Sequence, residues 1–286
     1  MFRSAAIIGG DLRALTLARL MEEEGYAVEL YGFEKSPVGE CECATLDLAA
    51  NCDIVILPVP VSFDGININM PFSDSKLAVS ELADAINPSS LVLGGQIKSE
   101  LSRMLSERGI AWRDYLKRDE LSIRNAIPTA EGAIEIAISE TPFTLHGSRV
   151  LVTGYGKVGK ILARMLQGMG AQTYVEARKY ADLALIEGHG YVPVALREMS
   201  GCVGEFDIIF NTVPALMFDR GILERVRKDT LIIDLASRPG GVDFAAARDL
   251  GVRVIWALSL PGKVAPVTSG AIIKDTVMNI IEEISA

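Results

Sequence analysis

The sequence predicts an α/β chain made of two doubly wound parallel-sheet domains, and three observations lead there. Apolar, β-branched runs of strand length alternate with helical patterns from one end of the chain to the other. These runs are apolar throughout rather than alternating, as strands covered on both faces are, and Gly, Pro or charge closes each one. Finally, the stretch from His146 to Arg178 places a strand, a G-x-G-x-x-G turn, a helix and a second strand in direct succession.

The first domain is expected over residues 1–124. Ala5-Ala6-Ile7-Ile8 reads as a strand, and Gly9-Gly10-Asp11 turns into a helix that Gly25 ends. Val28 to Tyr31 is the next strand. Asp53 to Leu57 is another, stopped by Pro58-Val59-Pro60 because proline cannot donate to a sheet ladder. Ser73 to Ile86 reads as a helix closed by Asn87-Pro88, Leu91 to Leu93 as a strand leading into Gly94-Gly95, and Gly109 to Trp112 begins the last strand. Gly9-Gly10-Asp11, Pro58-Val59-Pro60 and Gly94-Gly95-Gln96 are either ligand-facing turns or plain tight ones. The first is not a second dinucleotide fingerprint, since no third glycine follows at the required distance.

Residues 125–145 read as a linker, with Thr129 capping a helix that runs to about Glu140 and stops before Pro142. Asn125, Thr129 and Glu131 are either residues that line a cleft or simple capping residues. The second domain, 146–267, opens on the strand Val150 to Thr153. Gly154 permits the tight turn, Gly156 lets backbone N–H groups reach a pyrophosphate, and Gly159 allows helix and strand to pack closely. Tyr155, Lys157 and Val158 complete the fingerprint, and the positive end of the helix faces the phosphates. Later strands, Tyr191 to Pro193, Phe206 to Phe210, Leu231 to Asp234 and Val252 to Ile255, deliver three loops to the carboxyl edge of the sheet. Asn211, Thr212, Val213 and Pro214, with Leu235 and Ala236, are placed there against the nicotinamide half of the cofactor; Leu258 to Pro266 forms the third loop. A helix from about Thr268 closes the chain.

The end of the fingerprint's second strand separates the two nicotinamide cofactors. An acidic residue there accepts from the ribose of NAD. In this chain the position falls on Ala177, which removes a carboxylate that would repel a 2′-phosphate, and Arg178 with Lys179 can pair with that phosphate. NADP is therefore favoured. A slip of one residue would make Glu176 the ribose ligand, and NAD stays open on that ground.

Composition excludes several function classes. The 286 residues carry a formal net charge of −9, which opposes nucleic-acid binding. No apolar run is long enough to span a membrane, and Met1-Phe2-Arg3 leads straight into a strand, so a cytosolic protein is expected. Cys41, Cys43, Cys52 and Cys202 lack a nearby His or a second C-x-x-C and read as reduced, partly buried thiols, with no metal expected.

The layout resembles that of the D-2-hydroxyacid and alanine dehydrogenases: a flavodoxin-like outer domain, a crossing helix, a Rossmann domain, and a final helix, 268–286, that packs back on the first domain. The hydroxyacid enzymes' catalytic His is missing, because the last-strand loop reads Leu260-Pro261-Gly262-Lys263. His146 and His189 fall on the other edge of the sheet and read as surface residues. A more specific likeness rests on Gly9-Gly10-Asp11, Ile127 to Gly132, Gly154 to Gly159, Asn211 to Pro214, Asp234 to Gly241 and Pro261 to Pro266. Together these resemble the dipicolinate synthase A-subunit family over nearly the whole chain. Where the family pattern has a smaller residue before the Arg, this chain has Glu176-Ala177. The resemblance implies NADP-dependent oxidation of a dihydrodipicolinate-type intermediate to pyridine-2,6-dicarboxylate in the mother-cell cytoplasm during sporulation. It also implies work with a flavoprotein-like B subunit on a small dicarboxylate substrate, in an oligomeric assembly. For that reaction Arg238 and Lys263 suit the two carboxylates, Ser237, Thr268 and Ser269 suit hydrogen-bond donors, and Glu131 a base or water-orienting group. The plain alternatives are that Arg238 caps its own loop and Lys263 is solvated. Two other functions stay open: an alanine-dehydrogenase-like amino- or imino-acid oxidoreductase, and a non-catalytic NADP-binding scaffold.

Overall fold

The computed structural model describes residues 2–39 and 41–285. The chain divides into two compact units, one holding the residues up to Arg124 and again from Ala265, the other Asn125–Val264.

The first unit is a five-stranded, wholly parallel sheet. Its strands are β1 (Ser4–Ile8), β2 (Ala27–Tyr31), β3 (Ile54–Ile56), β4 (Leu91–Gly94) and β5 (Ala111–Asp114), in the order β2-β1-β3-β4-β5. The reversal of direction at β1 and β3 puts helices on both faces, hence apolar residues on both sides of every central strand. Helices α1 (Leu12–Glu23), α2 (Leu46–Ala50), α3 (Val79–Ala85) and α4 (Ser99–Glu107) belong to this unit. The Asp11 carboxylate caps α1 by accepting from Arg13 N at 3.0 Å. The closing helix, called α12 below and spanning Pro266–Ser285, packs on α1. The two approach so closely at Gly270 that a Cβ there would lie 2.7 Å from Arg13 O and from Thr16 Cβ. Ion pairs Lys274–Glu24, Arg118–Glu283 and Arg124–Asp275 fasten its outer side.

The second unit is a six-stranded parallel sheet, ordered β11-β10-β9-β6-β7-β8. In chain order it holds β6 (Arg149–Thr153), α6 (Lys157–Gly168), β7 (Gln172–Ala177), α7 (Tyr180–Gly188), β8 (Val192–Ala195) and α8 (Met199–Cys202). There follow β9 (Ile208–Asn211), α9 (Arg220–Leu223), β10 (Leu231–Asp234), α10 (Phe244–Leu250), β11 (Arg253–Trp256) and α11 (Leu260–Val264). Read from β6, this is the strand order 3-2-1-4-5-6 of a Rossmann sheet, and the first unit has the flavodoxin-like order 2-1-3-4-5. The predicted α/β class with two doubly wound parallel sheets is the observed one.

Three elements depart from the sequence reading. Thr129 is not an N-cap: α5 runs unbroken over Asp119–Glu140 with Pro128 inside it. Proline removes one i→i−4 donor, and the following Thr129 hydroxyl donates back to Asn125 O at 2.7 Å, adding a local bond at the same turn. The helix expected from Ser73 begins only at Val79, because Asn67 and Ala78 form an antiparallel bridge and Ile68 N donates to Leu77 O at 2.9 Å. The third loop of the second unit is partly helical, since α11 occupies Leu260–Val264. No described helix is long and apolar enough to cross a membrane.

Candidate functional site

At the carboxyl edge of the second sheet, β6 ends in Thr153 and the chain turns at Gly154 with φ +88°. A Cβ there would also strike Val213 Cγ2 and Thr212 Oγ1, at 2.7 and 2.8 Å. A Cβ on Gly159 would overlap the carbonyl oxygen of Gly154, so α6 can seat against the turn only with glycine at that position. Gly156 borders open space and begins α6 without any side-chain cap. The first intrahelical bond of α6 is Lys160 N to Gly156 O at 3.0 Å. The helix thus presents an N-terminus without a side-chain cap at the glycine turn, the arrangement by which helix N-termini receive phosphates.

Tyr155 also lines the groove beside this turn. Its hydroxyl bonds His189 Nδ1 at 2.6 Å, and its ring packs edge-on to Tyr191. His189, read as a plain surface residue, is exposed but attached in this way to the fingerprint.

A groove of about 260 Å³ runs past this turn, bordered by Gly154, Gly156, Ala177, Arg178, Lys179 and Val213. Ala177 is the last residue of β7, packed with Ala163, Val175 and Ile186, so its side chain brings no charge to the groove. Arg178 and Lys179 follow, both exposed, and Lys179 starts α7 without a cap bond. Glu176 lies beneath the turn, 2% exposed. Its Oε2 accepts from Gly154 N at 3.2 Å, while Oε1 is buried with no hydrogen-bond partner among the described residues. Burial pushes this carboxyl above its ordinary value, against the Gly154 N–H and the Arg178 charge, which act the other way.

On the far side of β6 the strand ends are joined by polar groups that the sequence reading had assigned to the cofactor or missed. Asn211 is fully buried: its Oδ1 accepts from Thr153 Oγ1 at 2.7 Å, and its Nδ2 donates to Asp234 Oδ1 at 2.8 Å and Val213 O at 3.1 Å. Its side chain is thus committed to the scaffold rather than offered to a ligand. Asp234, also fully buried, accepts from Ala236 N at 3.1 Å and Gly241 N at 2.8 Å, which ties down both ends of the loop after β10. Thr212 Oγ1 donates to Thr153 O at 2.8 Å. Val213 borders the groove, Pro214 is exposed, Leu235 half-buried and Ala236 buried. The one signal in the sequence for this network is an Asp ending an otherwise apolar strand ahead of a glycine-rich loop.

The proposed substrate residues lie on several elements, Thr268 and Ser269 in the first unit and Glu131, Ser237, Arg238 and Lys263 in the second. Ser237 and Arg238 are exposed on the loop that Asp234 holds, and the Arg238 guanidinium lies over the Trp256 ring, 5.7 Å from its centre. Lys263 is exposed in the last turn of α11. Glu131 is exposed on α5, and the neighbouring Gly132 lets α5 pack against Val264 and Leu260 of α11. Thr268 and Ser269 sit in the first turn of α12 within the first unit, Thr268 exposed and Ser269 buried. Asn125 keeps its Oδ1 buried without a partner among the described residues. In the first unit, Gly9 and Gly10 turn with positive φ beside a small cavity of about 20 Å³, where Arg13 forks onto Asp11 and reaches Val59 O at 2.8 Å.

Comparison with known proteins matches residues 4–116 to the family of N-terminal domains of the dipicolinate synthase A-subunit. Residues 130–246 match the NAD binding domain of D-isomer specific 2-hydroxyacid dehydrogenases, so the groove belongs to a nicotinamide-cofactor domain. The dipicolinate synthase A-subunit of Bacillus subtilis (strain 168) is 34% identical, covering 98% of this chain and 96% of that one. The crystal structure of the dipicolinate synthase A-subunit from Bacillus halodurans superposes with a TM-score of 0.89 at 31% identity, over 97% of both chains. An L-alanine dehydrogenase structure shares the fold, with a TM-score of 0.67 at 16% identity over 96% of this chain and 88% of that one.

Proposed function

Because this chain belongs to the dipicolinate synthase A-subunit family, we propose that it is an NADP-dependent oxidoreductase that converts a dihydrodipicolinate-type intermediate to pyridine-2,6-dicarboxylate. In this reading it works with a second, flavoprotein-like subunit in the cytoplasm of the mother cell. Likeness to the Bacillus subtilis chain along 98% of this sequence is the observation that carries the reaction.

The bare N-terminus of α6 and the open space at Gly156 receive the pyrophosphate. Arg178 and Lys179, following an uncharged strand end, receive the 2′-phosphate. When bound, the nicotinamide supplies the two-electron acceptor. The chain's own task is then to hold and orient a dianionic ring. Arg238, Ser237 and Lys263 take the carboxylates, and Glu131 or water takes the one proton released. Aromatisation drives the oxidation, so no strong general base is needed, and the lack of a His on these loops ceases to be an obstacle.

The test couples the purified chain to a synthase that generates dihydrodipicolinate, with and without the second subunit, and follows reduced nicotinamide and dipicolinate together. Formation of both from NADP is expected. Tight NADP binding without turnover under either condition would leave a scaffold role, and turnover of an amino acid with NAD would place the chain with alanine dehydrogenase instead.

A further inference from the structure

Glu176 is a buried carboxyl group that the reaction proposed above does not use. It sits in β7 between β6 and β8, whose facing residues Thr153 and Val194 are uncharged. One oxygen is tied to the Gly154 N–H and the other has no partner among the described residues. Arg178 is two residues away and exposed at the groove, and it does not supply a hydrogen bond to the Glu176 Oε1. A carboxylate in such a place has lost its water without gaining a compensating charge or a full set of donors, which the neutral acid tolerates far better.

Resting on the NADP reading, we propose that Glu176 is the specificity-determining residue of the cofactor site, admitting the 2′-phosphate as a neutral acid and repelling it as a carboxylate. Nothing covalent changes; one proton moves between Glu176 and solvent. The groove that would receive the phosphate is the one Glu176 underlies, so a negative charge there acts through protein rather than through water. NAD, which lacks the 2′-phosphate, responds far less. The chain thereby couples its choice of cofactor to pH: preference for NADP is greatest at low pH and falls as pH rises through the Glu176 transition.

The other charged or titratable groups on the surrounding elements are Tyr155 in the turn, Lys157 and Lys160 on α6, Arg178 and Lys179 after β7, Asp182 on α7, and His189 bonded to Tyr155. The 2′-phosphate itself titrates near ~6. These groups and the phosphate are common to the parent and to a Glu176 variant, so the difference between the two proteins isolates Glu176.

The experiment measures dissociation constants for NADP and for NAD by calorimetry on the full chain and on Glu176→Gln, from about pH 4.5, the ordinary carboxyl value, up to about pH 8.5. The parent should lose about tenfold of its NADP-over-NAD preference across the range, whereas the Gln variant keeps its preference nearly level. Parallel loss in both proteins, or a weaker NADP preference in the variant at high pH, overturns the proposal while leaving the NADP reading intact. If the parent prefers NADP at no pH, the NADP reading fails and this proposal falls with it. Should Glu176→Gln not fold, Glu176→Ala, also uncharged, must give the same level profile, and a profile that slopes like the parent's refutes the assignment.

Discussion

Replacing Asp234 by Ala removes the acceptor for three donors in a fully buried place: Ala236 N, Gly241 N and Asn211 Nδ2. The two backbone N–H groups are left bare, whereas Asn211 Nδ2 still has Val213 O at 3.1 Å. At about 1–3 kcal/mol for each bare donor, with a smaller part for Asn211, the loss comes to about 4 kcal/mol. That is a large share of an ordinary domain's ~5–15 kcal/mol. Asp234→Asn should not rescue it. Its single oxygen can serve Oδ1's two donors or the Gly241 N–H, and the new NH₂ then faces whichever donors are left. The two units need not unfold together, so the assay must report on the second alone. Trp256 does so: its Nε1 donates to Ala236 O at 2.9 Å, within the loop at issue, and the only other tryptophan, Trp112, lies in the first unit and can be silenced as Trp112→Phe. With a urea slope of about 2 kcal/mol per molar, the Trp256 transition should fall by ~2 M in Asp234→Ala and by at least about half of that in Asp234→Asn. An Ala variant that loses less than about 1.5 kcal/mol, or an Asn variant close to the parent, would show that water or a loop shift satisfies these donors and that the network does not hold the loop.

Gly159→Ala drives a Cβ into the Gly154 carbonyl and should cost ~2–3 kcal/mol while weakening dinucleotide binding beyond the loss in stability, read by urea unfolding and calorimetry on the same variant. Arg178→Ala should weaken NADP by about tenfold or more and NAD by much less, an effect that shrinks as salt is raised; equal weakening of both would remove Arg178 from the 2′-phosphate. Glu176 has a raised carboxyl in the folded chain, so the folded state holds its proton more tightly than the unfolded state does. Its stabilising contribution is complete below the ordinary carboxylate value and is lost as pH climbs to the raised one. Glu176→Gln should therefore gain stability relative to the parent as pH rises above about 4.5 and gain nothing at lower pH, in urea midpoints taken as a function of pH.

Legibility from sequence followed the range over which each feature is determined. The fingerprint was readable because its constraints are local: a positive φ at Gly154 and two close approaches within a few residues of one another. Both sheets were readable because strands buried on two faces must be apolar throughout, as Ile54–Ile56 and Leu231–Asp234 nearly are. Helix α5 was misread at its start, since Pro128 signals a break whose cost depends on neighbouring donors, Thr129 among them. The Thr153–Asn211–Asp234 chain joins residues 58 and 23 positions apart, and each, standing alone at a strand end, looks like a ligand group. Burial decided otherwise. Glu176 was identified as the residue that competes with Ala177, but only the flanking strands reveal that its carboxyl is enclosed.

The same packing bears on Arg238, whose role in the sequence was ambiguous between substrate clamp and loop cap. Its guanidinium rests on the face of Trp256, which is stacked on Phe244 at 5.0 Å and held to Ala236 O through its own N–H. Among the described residues, the side-chain bonds to this loop come from Asp234 and Trp256, beside its own backbone bonds such as Gly240 N to Ser237 O at 2.9 Å. An arginine that is exposed and steadied on an aromatic face has already given up much of the rotamer freedom that a binding event would otherwise remove, which is worth ~0.5–1.5 kcal/mol per side chain. That is the preparation a carboxylate clamp needs. It also makes Trp256→Leu the sharper probe of the clamp than Arg238→Ala: the positive charge remains while its support is gone, so substrate affinity should fall by a few fold with cofactor affinity unchanged, whereas a loss of both would mean that the ring serves the fold alone.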